Sequence, residues 1–94
     1  MVGQLRIYTI KEGQMDAWLE QFGSLIPVMA EAQITVQASW VDAEKNNFGW
    51  IRTFDDDDLE AGEARFYGSA EWEAAKDKTR AFVSNVDVTV IEYR

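Results

Sequence analysis

Hydrophobic and polar residues alternate in four short segments of this 94-residue chain, and the segments are rich in β-branched and aromatic residues. Both features are typical of β-strands. The four predicted strands cover residues 4–10, 34–42, 48–54 and 86–93. The second and third are separated only by residues 43–47, which include Asn46 and Asn47. Because Asn accepts the left-handed backbone conformation of tight turns, these two strands are predicted to form a hairpin.

Between the first two strands, hydrophobic residues recur every three or four positions, which is the spacing of one face of a helix. They are Met15, Trp18, Leu19, Phe22, Leu25, Ile26 and Met29. This pattern predicts a first helix over residues 14–32 with these side chains on its buried face. Pro27 has no N–H group to donate to the carbonyl of Gly23, so a kink or break is expected there.

A second helical region follows the third strand. Its hydrophobic face is formed by Leu59, Gly62, Ala64 and Phe66, then by Trp72, Ala75, Thr79, Phe82 and Val83. Gly68 and Ser69 interrupt the pattern, and Ser69 is predicted to cap the second piece. The resulting order is β-α-β-β-α-β, which predicts one α+β domain over residues 1–94. Its ferredoxin-like fold has a four-stranded antiparallel sheet with the helices on one face.

The sheet face opposite the helices is not predicted to be polar. In the first strand Leu5 and Ile7 point to one face, while Tyr8 and Ile10 point to the other. An antiparallel sheet with one solvated face should carry large hydrophobic residues on one side only. The uncovered face therefore needs a partner, and we expect a second copy of the chain to cover it in a homodimer.

Composition excludes several classes of function. The chain has no Cys and no His, which removes thiolate nucleophiles, zinc–thiolate sites and the commonest protein ligands of haem. We therefore expect no cofactor and no bound metal. The net charge of −8 would repel nucleic acids and anionic lipid surfaces. No apolar run approaches the ~20 residues of a membrane span and no targeting segment is recognised, which favours the cytoplasm.

Four consecutive acids, Asp55–Asp58, precede the second helical region. A calcium loop of the EF-hand type would need spaced acids, a central Gly and a distant Glu, and these are missing. Carboxylates at the start of a helix stabilise its free N–H groups and the positive end of its dipole. Asp55 or Asp56 is therefore predicted to be the helix cap rather than a metal ligand.

Three parts of the chain resemble NIPSNAP-type domains. They are Leu5–Gly13 followed by Met15–Trp18, Trp50–Asp56, and Phe66–Trp72. In this order and spacing, the resemblance extends over nearly the whole chain. It implies membership of the dimeric α+β barrel group, in which two ferredoxin-like sheets pack face to face around a cavity. Small bacterial members of this family mostly have no assigned activity.

The resemblance leaves two functions open. One is a NIPSNAP-like homodimer without an assigned activity that binds a small ligand or a partner. Related barrel families include haem enzymes, antibiotic-biosynthesis monooxygenases and small isomerases or cyclases, and the lack of His argues against the haem enzymes. The alternative is therefore a cofactor-independent monooxygenase, isomerase or cyclase that acts on a small aromatic or anionic molecule in the barrel cavity.

The candidates for ligand binding are Arg6, Tyr8, Trp50, Arg52 and Tyr67. The first and third strands are central neighbours in this fold, and Arg6 and Tyr8 share one strand face. If Leu5 and Ile7 meet the helices, Arg6 and Tyr8 point into the barrel. Whether the two residues of the third strand join them depends on the register, which the sequence leaves open.

These residue types suit an anionic or phenolic ligand, since Arg supplies a charge and a planar fork while Tyr supplies a hydroxyl. The equally supported alternative is that Arg6 pairs with a carboxylate, such as Asp42, Glu92 or an acid of the dimer partner. Tyr67 is expected at the mouth of the cavity, because it precedes the break between the two helical pieces. Trp72 is predicted to belong to the core.

Overall fold

The computed structural model covers Met1–Arg94 and contains four strands and three helices. Their bounds are β1 Val2–Ile10, α1 Met15–Glu31, β2 Ile34–Asp42, β3 Asn47–Phe54, α2 Leu59–Tyr67, α3 Ala70–Ala81 and β4 Val83–Glu92. The strand order in the sheet is β2-β3-β1-β4, and all neighbouring strands are antiparallel. The helices lie on one face, so the predicted ferredoxin-like α+β fold is confirmed. None of the helices has the length and hydrophobicity needed to span a membrane.

The predicted interruption of the second helical region separates α2 from α3. Gly68 ends α2 at a crowded point, where an added Cβ would lie 2.8 Å from the carbonyl oxygen of Ala64. Ser69 then caps α3, because its hydroxyl oxygen accepts a hydrogen bond from the backbone N–H of Trp72 at 3.2 Å. The predicted cap is confirmed. The break lets the chain change direction between two short helices above the sheet.

Leu5 and Ile7 do not face the helices, so the condition under which Arg6 and Tyr8 would point into the barrel is not met. The ring of Tyr8 in β1 packs edge-on against Trp18 of α1, with ring centroids 5.7 Å apart. The face of β1 that contains Tyr8 therefore meets the helices, and Leu5 and Ile7 lie on the open face. This outcome follows from burial, because the aromatic rings remove more apolar surface from water than the two aliphatic side chains would.

The open face of the sheet carries a hydrophobic surface that no helix covers. Leu5, Ile7 and Ile51 lie half-buried at its centre. Trp40 of the edge strand β2 lies across Gly49, where an added Cβ would be 2.3 Å from the indole. Glycine is therefore required under this ring. Trp40 remains 42% exposed, so a large aromatic surface faces solvent in the single chain.

Helix α1 is shorter by one residue at each end than predicted, and two of its hydrophobic residues lie outside the core. Leu19 and Ile26 are 39% and 40% exposed, because they sit at the edge of the helix face that meets the sheet. The expected break at Pro27 does not occur, and the helix continues to Glu31. Gly23 is exposed, so water can reach the carbonyl that receives no hydrogen bond from the proline.

The cap of α2 is Asp58 rather than Asp55 or Asp56. Its carboxylate accepts a hydrogen bond from the backbone N–H of Ala61 at 3.0 Å. The difference arises because the preceding acids form a turn, in which Asp57 has a left-handed backbone conformation with φ of 59°. Asp56 pairs with Arg65 at 3.1 Å, so the acids act as partners of neighbouring groups in the turn.

Trp18 and Leu19 provide a test of the helix orientation, since they are adjacent and only Trp18 is buried, at 1% exposure. Trp18→Ala removes a ring at the centre of the aromatic cluster and should lower the free energy of unfolding by about 3–5 kcal/mol. Leu19→Ala, the matched control, should cost less than about 1 kcal/mol. Urea unfolding monitored by circular dichroism measures both. Equal midpoints for the two variants would show that the helix face is assigned incorrectly.

Candidate functional site

A cavity of about 520 Å³ lies between the helices and the sheet. All five candidate residues line it, and they come from β1, β3 and α2. The remaining wall is mainly aromatic and aliphatic, and its principal members are Trp18, Phe22, Leu25, Met29, Phe66 and Trp72. The structure thus brings the predicted residues together, but on the helix side of the sheet rather than in the space between two sheets.

The register of β1 and β3 explains this convergence. Arg6 is paired with Trp50, and Gln4 is paired with Arg52. Paired residues of antiparallel strands point to the same face, so the candidates of both strands share the face of Tyr8. The register that the sequence left open is therefore the one that joins Arg6, Tyr8, Trp50 and Arg52 in one group.

Gln4 connects the two arginines of this group. Its side-chain oxygen Oε1 accepts a hydrogen bond from Nη1 of Arg6 at 2.9 Å and another from Nε of Arg52 at 2.8 Å. The side chain of Gln4 is buried beside them. Sequence reasoning missed this residue, although it has the same strand parity as Arg6 and Tyr8. This shared strand face was the signal from which Gln4 could have been predicted to join the group.

Arg52 is held by hydrogen bonds and by aromatic rings. It is 1% exposed, and its Nη2 lies 3.2 Å from the hydroxyl oxygen of Tyr67 and 3.5 Å from a carboxylate oxygen of Glu63. The rings of Trp50, Phe54 and Tyr67 have centroids 5.4–5.7 Å from its guanidinium carbon. Such rings stabilise a cation through their negative faces. The contact to Glu63 is long for a charge-assisted hydrogen bond, so the charge is only partly compensated.

Arg6 has no carboxylate partner within the chain. Its Nε donates a hydrogen bond to the hydroxyl oxygen of Tyr8 at 2.8 Å, and its guanidinium carbon lies 5.8 Å from the centroid of the Trp50 ring. Asp42 and Glu92, the acids considered as partners from the sequence, form no salt bridge with it. Arg6 faces the helices. It therefore lies on the side of the sheet opposite to the open face, which is the face expected to meet a dimer partner.

The charge of the cavity wall is opposite to that of the whole protein. The chain has 17 acidic and nine basic residues, yet the wall contains Arg6, Arg52 and Arg80 and no acidic residue. Arg80 lies near the ring of Trp72, 5.8 Å from its centroid. A concave site lined by one sign of charge concentrates ligands of the opposite sign. The wall therefore favours an anion.

Several hydrogen-bond donors of the wall are unused. The indole nitrogens Nε1 of Trp18 and Trp50 are buried and have no hydrogen-bond partner. The hydroxyl oxygens of Tyr8 and Tyr67 accept hydrogen bonds from the arginines, which leaves each phenolic proton free to be donated. Buried donors in native proteins are nearly always paired, so this number of free donors is unusual. A ligand with acceptor oxygens would satisfy them.

Known structures share this architecture over the full length of the chain. A NIPSNAP domain protein from Burkholderia xenovorans superposes with a TM-score of 0.84 at 13% identity, covering 100% of this chain and 95% of that protein. A NIPSNAP family protein of unknown function from Agrobacterium tumefaciens gives 0.83 at 18% identity, covering 97% and 86%. The fold is that of NIPSNAP domain proteins. The resemblance stated from the sequence is thus confirmed at the level of the fold.

A second group of structures has the same fold with a lower score. An antibiotic biosynthesis monooxygenase superposes with a TM-score of 0.73 at 15% identity, covering 100% of this chain and 99% of that enzyme. No protein-family model matches the sequence, and the search of curated proteins also found no match. At these identities the comparisons establish the architecture, while the chemistry depends on the residues of the cavity.

The contact between Arg6 and Tyr8 can be tested without changing the shape of the cavity. Tyr8→Phe removes the oxygen that accepts from Nε of Arg6 and should lower the free energy of unfolding by about 1–2 kcal/mol. Tyr93→Phe is the control, because the hydroxyl of Tyr93 makes no hydrogen bond, and it should change stability by less than about 0.5 kcal/mol. Thermal and urea unfolding measure both. Equal stability of the two variants would contradict the proposed packing of Arg6 on Tyr8.

Proposed function

We propose that this chain is a NIPSNAP family protein that works as a cytoplasmic homodimer and binds a small anionic or aromatic molecule in the cavity between its helices and its sheet. The observation that carries the proposal is the reversal of charge, with three arginines and no acid in the wall of a strongly acidic protein. A cavity of about 520 Å³ also lies within the size range of small-molecule sites. No enzymatic activity is assigned by this proposal.

The aromatic part of the proposed ligand follows from the rest of the wall. Rings of Phe22, Trp50, Phe66 and Trp72 surround the arginine group. A planar ligand can stack on such rings or meet them edge-on, and each favourable pair contributes ~0.5–1.5 kcal/mol beyond burial of area. The unused indole donors would at the same time orient polar groups on the ligand. An aromatic or conjugated molecule with an acidic group combines both requirements.

The homodimer is proposed from the open face of the sheet. Leu5, Ile7, Ile51 and Trp40 form a continuous hydrophobic surface there, and a small domain seldom leaves such a surface in water. Face-to-face packing of two such sheets would cover it. Because the cavity lies on the other side of the sheet, this contact would leave the ligand site of each subunit separate.

An enzymatic function is the alternative, and the paired Arg and Tyr groups favour it. Arg6 contacts the hydroxyl of Tyr8, and Arg52 contacts the hydroxyl of Tyr67. An arginine could stabilise an enolate while the adjacent phenol donates a proton to it, which is the chemistry of an isomerase or cyclase. The shared fold with an antibiotic biosynthesis monooxygenase supports the same alternative. A compound that binds the protein can be incubated with it and followed by mass spectrometry. Conversion of the compound to a product would show that the protein is an enzyme.

The dimer can be tested with two matched substitutions of a hydrophobic strand residue by an acid. Ile51→Asp places a charge on the open face, whereas Val88→Asp places one on the exposed helix side of β4, where Val88 is 44% exposed. Light scattering of the wild type at micromolar concentration should give twice the chain mass of 10.7 kDa. Ile51→Asp should give the monomer and Val88→Asp the dimer. A monomeric wild type, or a dimer disrupted only by Val88→Asp, would refute this interface.

Ligand binding can be tested by a thermal-shift screen of small carboxylates and phenols. A compound at 100 times its Kd should stabilise the wild type by about 2.7 kcal/mol. Arg6→Met keeps the length of the side chain but removes the charge, so it should lose the shift for the anionic compounds. Arg94→Met is the control, because Arg94 is exposed and lies outside the cavity wall. An equal shift in both variants would place the binding site elsewhere, and no shift in the wild type would count against a ligand site of this class.

A further inference from the structure

Two arginines of the cavity wall donate hydrogen bonds to the same uncharged oxygen atom. The oxygen Oε1 of Gln4 accepts from Nη1 of Arg6 at 2.9 Å and from Nε of Arg52 at 2.8 Å. Arg52 is buried and Arg6 is half-buried, so two like charges brought this close repel each other more strongly than they would in water, and an acid between them would normally compensate for that repulsion. Here an amide occupies the position. Gln4 therefore orients both guanidinium groups without neutralising either.

The charge around Gln4 is left unbalanced by one unit. Arg6 and Arg52 contribute two positive charges, and Glu63, 3.5 Å from Arg52, contributes one negative charge. No other carboxylate forms a salt bridge with either arginine. Arg52 is 1% exposed and Arg6 is half-buried, so water screens this pair less than it would an exposed pair. A ligand with one negative charge would complete the balance at Gln4, because Arg80, the third arginine of the cavity wall, is exposed to water.

The arginines also retain donors for such a charge. Arg6 uses Nε and Nη1 in hydrogen bonds to Tyr8 and Gln4, and its Nη2 makes none within the chain. Arg52 uses Nε and Nη2, and its Nη1 makes none. The unpaired indole nitrogen of Trp50 belongs to the same part of the wall. Planar N–H donors of this kind match the oxygens of a carboxylate.

We infer that Gln4 is a specificity-determining residue that keeps the Arg6–Arg52 pair charged and uncompensated, and that the pair selects aromatic monoanions of the carboxylate class over their neutral analogues. This inference rests on the proposed ligand-binding function. It adds a residue and a charge to that function: a glutamate at position 4 would fill the role of the ligand's acidic group, whereas glutamine leaves it vacant.

The test uses 2-naphthoate and 2-naphthamide, which share their ring system and differ in the charge of one group. Calorimetric titration of the wild-type protein should show that 2-naphthoate binds roughly tenfold or more tightly than 2-naphthamide. Gln4→Glu should reduce the affinity for 2-naphthoate by at least the same factor and keep the affinity for 2-naphthamide. Gln14→Glu, the control, makes the same change of charge at an exposed position and should bind like the wild type.

A measurement without ligand completes the test. Gln4→Glu supplies the missing negative charge, so it should raise the melting temperature by about 4 °C or more relative to the wild type. Equal affinity of the wild type for both compounds would overturn the inference and leave the proposed function standing. Unchanged naphthoate binding by Gln4→Glu, or a melting temperature below that of the wild type, would also overturn it. If neither compound binds the wild type, the inference fails, while the proposed function is decided by the screen of small carboxylates and phenols.

Discussion

The burial of the Arg52 guanidinium on one face of the sheet is the constraint on which the rest of the structure depends. A buried cation is costly unless hydrogen bonds and charges surround it. Arg52 donates hydrogen bonds to Gln4 in the neighbouring strand β1 and to Tyr67 at the end of α2, a carboxylate oxygen of Glu63 in α2 lies 3.5 Å away, and rings of β3 pack beside it. These partners come from three elements. The position of α2 and the β1–β3 register are thereby coupled to one side chain.

The same constraint gives the two faces of the sheet different compositions. Once Arg52 faces the helices, strand alternation places Arg6 and Tyr8 on that face and Leu5 and Ile7 on the other. The helix side then holds the polar and aromatic groups that surround the cavity. The open side keeps aliphatic residues and Trp40, which suit contact with another protein surface. One register therefore determines both the composition of the cavity and the composition of the uncovered face.

The sequence was sufficient to predict the order of the elements, the break before Ser69 and the residue types of the site. The spacing of hydrophobic residues predicts these features because it depends only on residues that are close together in the sequence. The sequence was insufficient to predict which face of β1 meets the helices, since both sets of alternating residues in that strand include hydrophobic side chains. The choice depends on rings contributed by α1 and β3, which are distant in the sequence. The role of Gln4 was missed for the same reason, because a glutamine becomes distinctive only when two arginines converge on its oxygen.

The break between α2 and α3 divides the helical cover of the cavity into two short pieces. A single straight helix would place one continuous row of side chains over β1 and β4, whereas the cap at Ser69 redirects the chain and sets Tyr67 and Trp72 on separate helices. Val86, Val88 and Val90 of β4 face this side and remain exposed, so the helix layer does not close over the sheet edge. The cavity thus combines a floor of hydrogen-bonded sheet residues with a short, interrupted helical cover. A change of cover residues can alter the shape of the cavity while the charged floor, which depends on strand pairing, stays the same.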